Sequence, residues 1–240
     1  AKKNDVLLIR GTEITRDTPP GHFNVLFLTD INPLNVKDFY EPFRIANEQK
    51  AYVFWNHPGW QGPERGRWGK EQTQLFEKKW MHGIEVCNGT EYYPEAHQWA
   101  IEKKLPIVGN SDIHAPSSDM PGTSDNHRTV TLVFAKERSL EAVRESLFAG
   151  RTAVWYKNQI IGKEDQLAPL FAACVQIRRS DLGPKDSSVW FELKNVSDLD
   201  IDLEGADDVR PARIHVPAHS VALVNVEILP SYGTEGVPYR

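Results

Sequence analysis

The feature that most constrains this chain is an alternation. Short apolar runs are separated by amphipathic stretches, and four of the runs carry a carboxylate or an imidazole at or just past their ends. Apolar runs of this length bounded by turn residues read as buried strands. They cover 5–15, 24–29, 51–55, 83–87, 105–109 and 129–135. Between them, Val36, Phe39, Tyr40, Phe43 and Ala46 fall at helical spacing within 35–50, which predicts an amphipathic helix. Further helices are predicted over 70–81, over 94–104 with Pro94 in the first turn, and from a Ser139 cap to Ala149, stopped by Gly150. Strands alternating with helices imply parallel β/α units, so the expectation is a β/α barrel or most of one. In such a barrel the chemistry gathers where strands end. Glu13, His57, Glu85, Asp112 and His114 all stand at such ends.

The pattern changes after about residue 165. A short helix or turn and then a strand are predicted over 167–177. Runs at 188–195, 199–203, 212–216 and 220–228 follow with turn signals between them, which is the pattern of a small antiparallel sandwich. Two domains are therefore expected, residues 1–165 and 166–240, the last residues forming a polar tail that can add a further strand. The first residues look like the end of a helix leading into a strand.

Charge and composition narrow the partners. The chain has 240 residues, a net charge of −5 and no Lys/Arg-rich run, so long nucleic acid is not an expected ligand. No apolar run reaches 18 residues, so no membrane span is expected. No signal peptide is seen, and neither compartment nor oligomeric state is indicated. Two cysteines, Cys87 and Cys174, are too few for a disulfide framework and are expected to be free and buried.

Asp112 and His114 lie two apart after the run ending at Gly109. On an extended chain both would point to one side, where a carboxylate and an imidazole grip divalent cations. His57 stands where an apolar strand opens into Pro58-Gly59, and His22 precedes a strand after a Pro-Pro-Gly loop. Glu13 would be costly to bury unless paired or bound to a metal. Glu85 alternates with Ile84 and Val86 and so faces away from them. The other histidines read as surface or helix-end residues. The polar stretch 115–127 is the kind of loop that covers a site.

In order, the segments Gly-Thr-Glu-Ile-Thr, Gly-His-Phe-Asn-Val, Trp-Asn-His-Pro-Gly, Ile-Glu-Val-Cys-Asn-Gly and Asn-Ser-Asp-Ile-His resemble the PHP family (polymerase and histidinol phosphatase), over about residues 5–150. The resemblance implies a distorted β/α barrel holding up to three divalent ions, Zn, Mn or Fe, and hydrolysis of small phosphate esters. Glu13 would bridge two ions, His22 and His57 would complete one site, and Asp112 and His114 would serve the others. Glu13 and Asp112 become the catalytic candidates, Glu85 a supporting acid beneath the site, and Arg128 a phosphate-gripping group; Arg65 is a weaker candidate for that role. The family opens with His-x-His, which this sequence lacks. The expectation is that the N-terminal part of the domain is absent from this chain, leaving the second and third metal sites short of ligands. Two other readings use the same residues. One is a non-catalytic binding or assembly module with a degenerate metal site, whose sandwich, with Trp190 exposed, makes the contacts. The other is a metal-dependent amidohydrolase.

Overall fold

The computed structural model describes residues 6–114, 128–181 and 188–228. The expectations for the first residues, for the 115–127 loop and for the C-terminal tail lie outside these. The chain divides into two compact units, residues 1–163 and 164–240.

The first unit opens with β1 (Gly11–Ile14), β2 (Phe23–Leu26), α1 (Glu41–Glu48), β3 (Tyr52–Trp55), α2 (Lys70–Glu77) and β4 (Gly83–Asn88). The short β5 (Glu91–Tyr92), α3 (Pro94–Lys103), β6 (Ile107–Asn110), β7 (Val130–Val133), α4 (Leu140–Phe148), β8 (Thr152–Tyr156) and β9 (Gln159–Gly162) complete it. Its main sheet runs β1-β2-β3-β4, with β5 and β6 both paired to β4. The expected parallel pattern holds only for β3–β4 and β4–β6. The β1–β2 and β2–β3 pairs are antiparallel. No helix separates β1 from β2, and parallel neighbours need a crossover that a loop of this length cannot supply. A second sheet, β7-β8-β9, is antiparallel. It lies against β6, where Thr131 Oγ1 both accepts from the Gly109 N–H (2.9 Å) and donates to the Gly109 carbonyl (2.8 Å). No barrel closes among the described residues.

Local chemistry explains the changed boundaries. The first helix begins late because the Asp38 carboxylate accepts from the N–H groups of Tyr40 and Glu41 (2.8 Å each) and so fixes its start. α2 stops at Glu77, and Lys79 then takes a left-handed φ of 57°. Ser139 caps α4 as expected, its Oγ accepting from the Ala142 N–H at 3.1 Å. The core is aromatic: Trp55 stacks on Trp99 at 5.6 Å and Phe23 meets Phe43 edge-on at 4.9 Å.

The second unit holds α5 (Glu164–Cys174), β10 (Val175–Arg179), β11 (Ser188–Asn195), β12 (Ile201–Glu204), β13 (Val209–Arg210), β14 (Arg213–Val216) and β15 (Val221–Ile228). The sheet β10-β11-β15-β13 and the pair β12–β14 share one apolar core that includes Leu193, Leu203, Val209, Ile214 and Val226. Cys87 is buried and Cys174 half-buried, both free. Trp190 is half-buried rather than exposed, since its strand pairs on both sides, with β10 and with β15.

Candidate metal centre

Three strands bring three ligand-type residues to one end of the main sheet. β1 delivers Glu13 near its C-terminal end, opposite Asn24 of β2. His22 precedes β2 and comes from that strand's N-terminal end, which the antiparallel pairing places at the same edge. β3 delivers His57 just past its C-terminal end, and the Asn56 N–H donates to the His22 carbonyl at 2.9 Å. The ligand atoms of Glu13, His22 and His57 all lie within 4.8 Å of one another. His22 Nδ1 is 3.1 Å from Glu13 Oε1. The His22 and His57 rings meet edge-on at 4.9 Å, and the Trp60 ring lies 5.7 Å from each.

The surrounding groups aim this set. Thr15 Oγ1 donates to Glu13 Oε1 (2.7 Å) and Asn56 Nδ2 to Glu13 Oε2 (3.4 Å). His57 is 6% exposed, and its Nδ1 is buried without a hydrogen-bond partner. An orphaned ring nitrogen in the interior costs stability unless something fills its lone pair. Burial lowers the His57 pKa, with His22 nearby adding to the effect and Asp112 and Glu13 opposing it. That favours the neutral imidazole, which is the form that binds metal. One carboxylate and two imidazoles suit zinc, manganese or iron, and a cation at roughly 2.0–2.2 Å from each ligand fits between atoms this close. The residues present therefore fit a divalent ion.

Glu85 lies beneath this group, 1% exposed. Its Oε2 accepts from the His57 backbone N–H (2.5 Å) and from Asn88 Nδ2 (3.1 Å), and its Oε1 accepts from Asn110 Nδ2 (2.6 Å). Burial pushes its pKa up to about 7, against the lowering effect of those three hydrogen bonds. Among the described residues no Arg or Lys pairs with it; it anchors the backbone that carries His57.

Asp112 and His114 stand outside the three-residue group. The chain after Asn110 is not a strand, so the two-residue repeat does not hold there. Asp112 takes a positive φ of 49°, and His114 Nδ1 hydrogen-bonds the Asp112 carbonyl at 2.8 Å while its ring is exposed. Asp112 nonetheless lies close enough for its charge to act on both His57 and Glu85. Arg128 is half-buried beside Thr129, whose hydroxyl donates to the Gly89 carbonyl (2.6 Å) just past β4. His57 also has positive φ (24°), so two candidate ligands sit in strained backbone, a pattern that clusters at functional sites. Sequence reasoning missed Thr15, Asn56 and Trp60 as neighbours of the group. Each lies within three residues of a candidate ligand in the sequence, which is the signal that could have found them.

An α/β sheet that gathers a carboxylate and two histidines at one edge defines a metal-binding protein of mixed architecture. In structure the chain is similar to a two-domain protein from Bacteroides vulgatus ATCC 8482 described as containing a predicted PHP-like metal-dependent phosphoesterase. The TM-score is 0.89 at 42% identity, over 98% of this chain and 70% of that one. The chain belongs to the PHP-like metal-dependent phosphoesterase family. No family model and no curated protein matches it. Among the described residues no helix is long and apolar enough to cross a membrane.

Proposed function

We propose that the first unit is a metal-dependent phosphoesterase acting on small phosphate esters at Glu13, His22 and His57. The observation that carries this reading is the convergence of those ligand atoms within 4.8 Å of one another at a buried histidine, His57. Asp112 and His114 would hold further ions beside that group, with Glu13 shared among them as a ligand, as the family resemblance implies. When bound, a divalent cation supplies Lewis acidity, which acidifies a water and polarises a phosphoryl oxygen.

The protein's own groups do the rest. Thr15 and Asn56 hold the Glu13 carboxylate in one orientation. Glu85 pins the His57 backbone. Trp60 covers both imidazoles and limits water on that side. Asp112 stands at the substrate side, and Arg128 grips phosphate oxygens with its planar fork.

The test uses the full chain. Metal content is measured by mass spectrometry after loading with Zn, Mn or Fe, and turnover is measured on chromogenic phosphate mono- and diesters and on an anilide. Metal binding with phosphate-ester turnover is expected. In His57→Ala the metal affinity should drop at least about 100-fold with an unchanged circular dichroism spectrum. Neither binding nor turnover with Mn added would overturn the reading. Cleavage of the anilide alone would move the chain to the amidohydrolases.

A further inference from the structure

We propose that the cavity beside His22 holds a second anionic group of the substrate, a phosphate or carboxylate on the leaving-group side, and that Arg16 and Arg65 are the residues that select for it. This rests on the phosphoesterase reading above, in which the scissile ester lies at the Glu13, His22 and His57 group.

The cavity measures about 560 Å³, and its walls include Arg16, Asp17, Thr18, His22, Trp60 and Arg65. That volume falls within the range of small-molecule sites, roughly 300–1,000 Å³, and is far more than a lone phosphate needs. Its contact with His22 makes it continuous with the candidate metal centre. Whatever has its ester at the centre therefore has room for its remaining body here.

The charges say what kind of body. Arg16 donates to two backbone carbonyls, Thr15 O (2.8 Å) and Val36 O (3.2 Å). Arg65 Nη1 donates to the Gln61 side-chain carbonyl (2.8 Å). Among the described residues neither guanidinium is ion-paired with a carboxylate, Asp17 included. Neutral acceptors position a guanidinium without cancelling its charge, so each remains available to an incoming anion, which it can meet with two parallel N–H donors. Arg16, half-buried and tied at two points, is held in place before binding, which lowers the ordering cost. Arg65 is exposed on a loop and can adjust. Asp17 opposes an anion, but one carboxylate faces two guanidiniums. Trp60, 47% exposed and packed on the His22 ring, gives the organic part between the two anions an apolar surface.

The test compares propane-1,3-diyl bisphosphonate with propylphosphonate as calorimetric probes on the Zn-loaded full chain, where the C–P bonds resist hydrolysis and binding is read without turnover. The bisphosphonate should bind at least tenfold more tightly. Arg65→Ala should abolish most of that preference, Arg65→Lys should retain part of it, and Asp17→Asn should increase it. Arg65 is exposed, so its variants are expected to fold, and Arg16→Lys keeps the charge should Arg16→Ala disturb its loop. On the metal-loaded chain, an aryl phosphate bearing a second carboxylate should have a lower KM than the plain aryl phosphate, and Arg65→Ala should bring the two KM values together. Equal binding of both probes, or an equal loss for both in Arg65→Ala, overturns the assignment. A bisphosphonate preference without turnover of any ester rejects the phosphoesterase reading and leaves an anion site. Turnover without the preference rejects this inference and leaves the reading it rests on.

Discussion

Glu85 offers the sharpest test of how the candidate centre is built. Its pKa in the folded, metal-free chain is about 7 against an ordinary 4.5, chiefly because it is buried. The folded state thus holds the Glu85 proton more tightly than the unfolded state does. Stability is greatest below pH 4.5 with respect to this group and is lost as pH rises through 7. A difference of 7 − 4.5 = 2.5, at roughly 1.36 kcal/mol per unit, gives about 3 kcal/mol lost by pH 8.5. Glu85→Gln removes the ionisation and little else. The remaining oxygen can serve the His57 N–H and Asn88 Nδ2, which already share Oε2, while Asn110 turns its amide to present an oxygen to the new NH₂. Urea unfolding of both chains in EDTA is the assay. Near pH 4.5 they should agree within about 1 kcal/mol. At pH 8.5 the Gln variant should be more stable by about 2–3 kcal/mol. A difference that stays constant between the two pH values would mean that Glu85 ionises like an exposed carboxylate, and the account of its burial would be wrong. The difference between the chains is the quantity to use, because His82 gives the wild-type stability a slope of opposite sign.

His82 lies at the other end of β4, with its pKa lowered by burial to about 4 and its Nδ1 accepting from the Val53 N–H at 3.0 Å. The unfolded chain binds the proton first, so the folded state should lose about 2 kcal/mol as pH falls from 6.5 to 4. His82→Asn, which keeps an acceptor, should lack that step when urea midpoints are compared at pH 7 and pH 4.5. Gly109 lets β6 and β8 approach closely: a β-carbon there would sit 2.3 Å from Val154 Cγ1 and 3.1 Å from Thr129 Cγ2. Gly109→Ala should destabilise by about 1–3 kcal/mol, and adding Val154→Ala should recover part of the loss, a coupling readable in a double-mutant cycle by chemical denaturation.

Much of the site was legible because its ligands follow strands whose apolar character is local. Glu13 and His57 could be picked out from position, His22 entered through the family resemblance, and the structure brings the three together. Strand direction was harder to read. The apolar runs that became β1, β2 and β3 look the same whether the sheet is parallel or antiparallel, since a short apolar run carries no sign of its neighbour's direction. His22 therefore looked out of place before a strand, when the antiparallel β2 is what turns that N-terminal end toward Glu13. The Asp112–His114 pair misled for a related reason. A two-residue repeat holds only where the chain stays extended, and the left-handed φ at Asp112 ends the extension. The β8–β9 hairpin was not read at all, because Thr152–Tyr156 and Gln159–Gly162 are short and lack a ligand at either tip.

The centre stands where the sheet changes character. β3 pairs antiparallel to β2 on one side and parallel to β4 on the other. At that seam the chain leaving β3 must turn over its neighbours. The turn leaves His57 with positive φ, its backbone N–H bound to Glu85 on β4 and its ring among groups from β1 and β2. The seam thus imposes two costs: a strained residue and a buried carboxylate with a raised pKa. A glycine at 57 would relieve the strain, whereas an apolar residue at 85 would leave the His57 N–H and the Asn88 and Asn110 amides without their acceptor. A cation held by Glu13, His22 and His57 would give a reason to keep an imidazole at 57, and its charge would favour the ionised form of the carboxylate beneath. The same cation should therefore lower the Glu85 pKa. Adding Zn or Mn in place of EDTA should remove the high-pH advantage of Glu85→Gln, whereas an advantage of the same size with the ion bound would separate Glu85 from the centre.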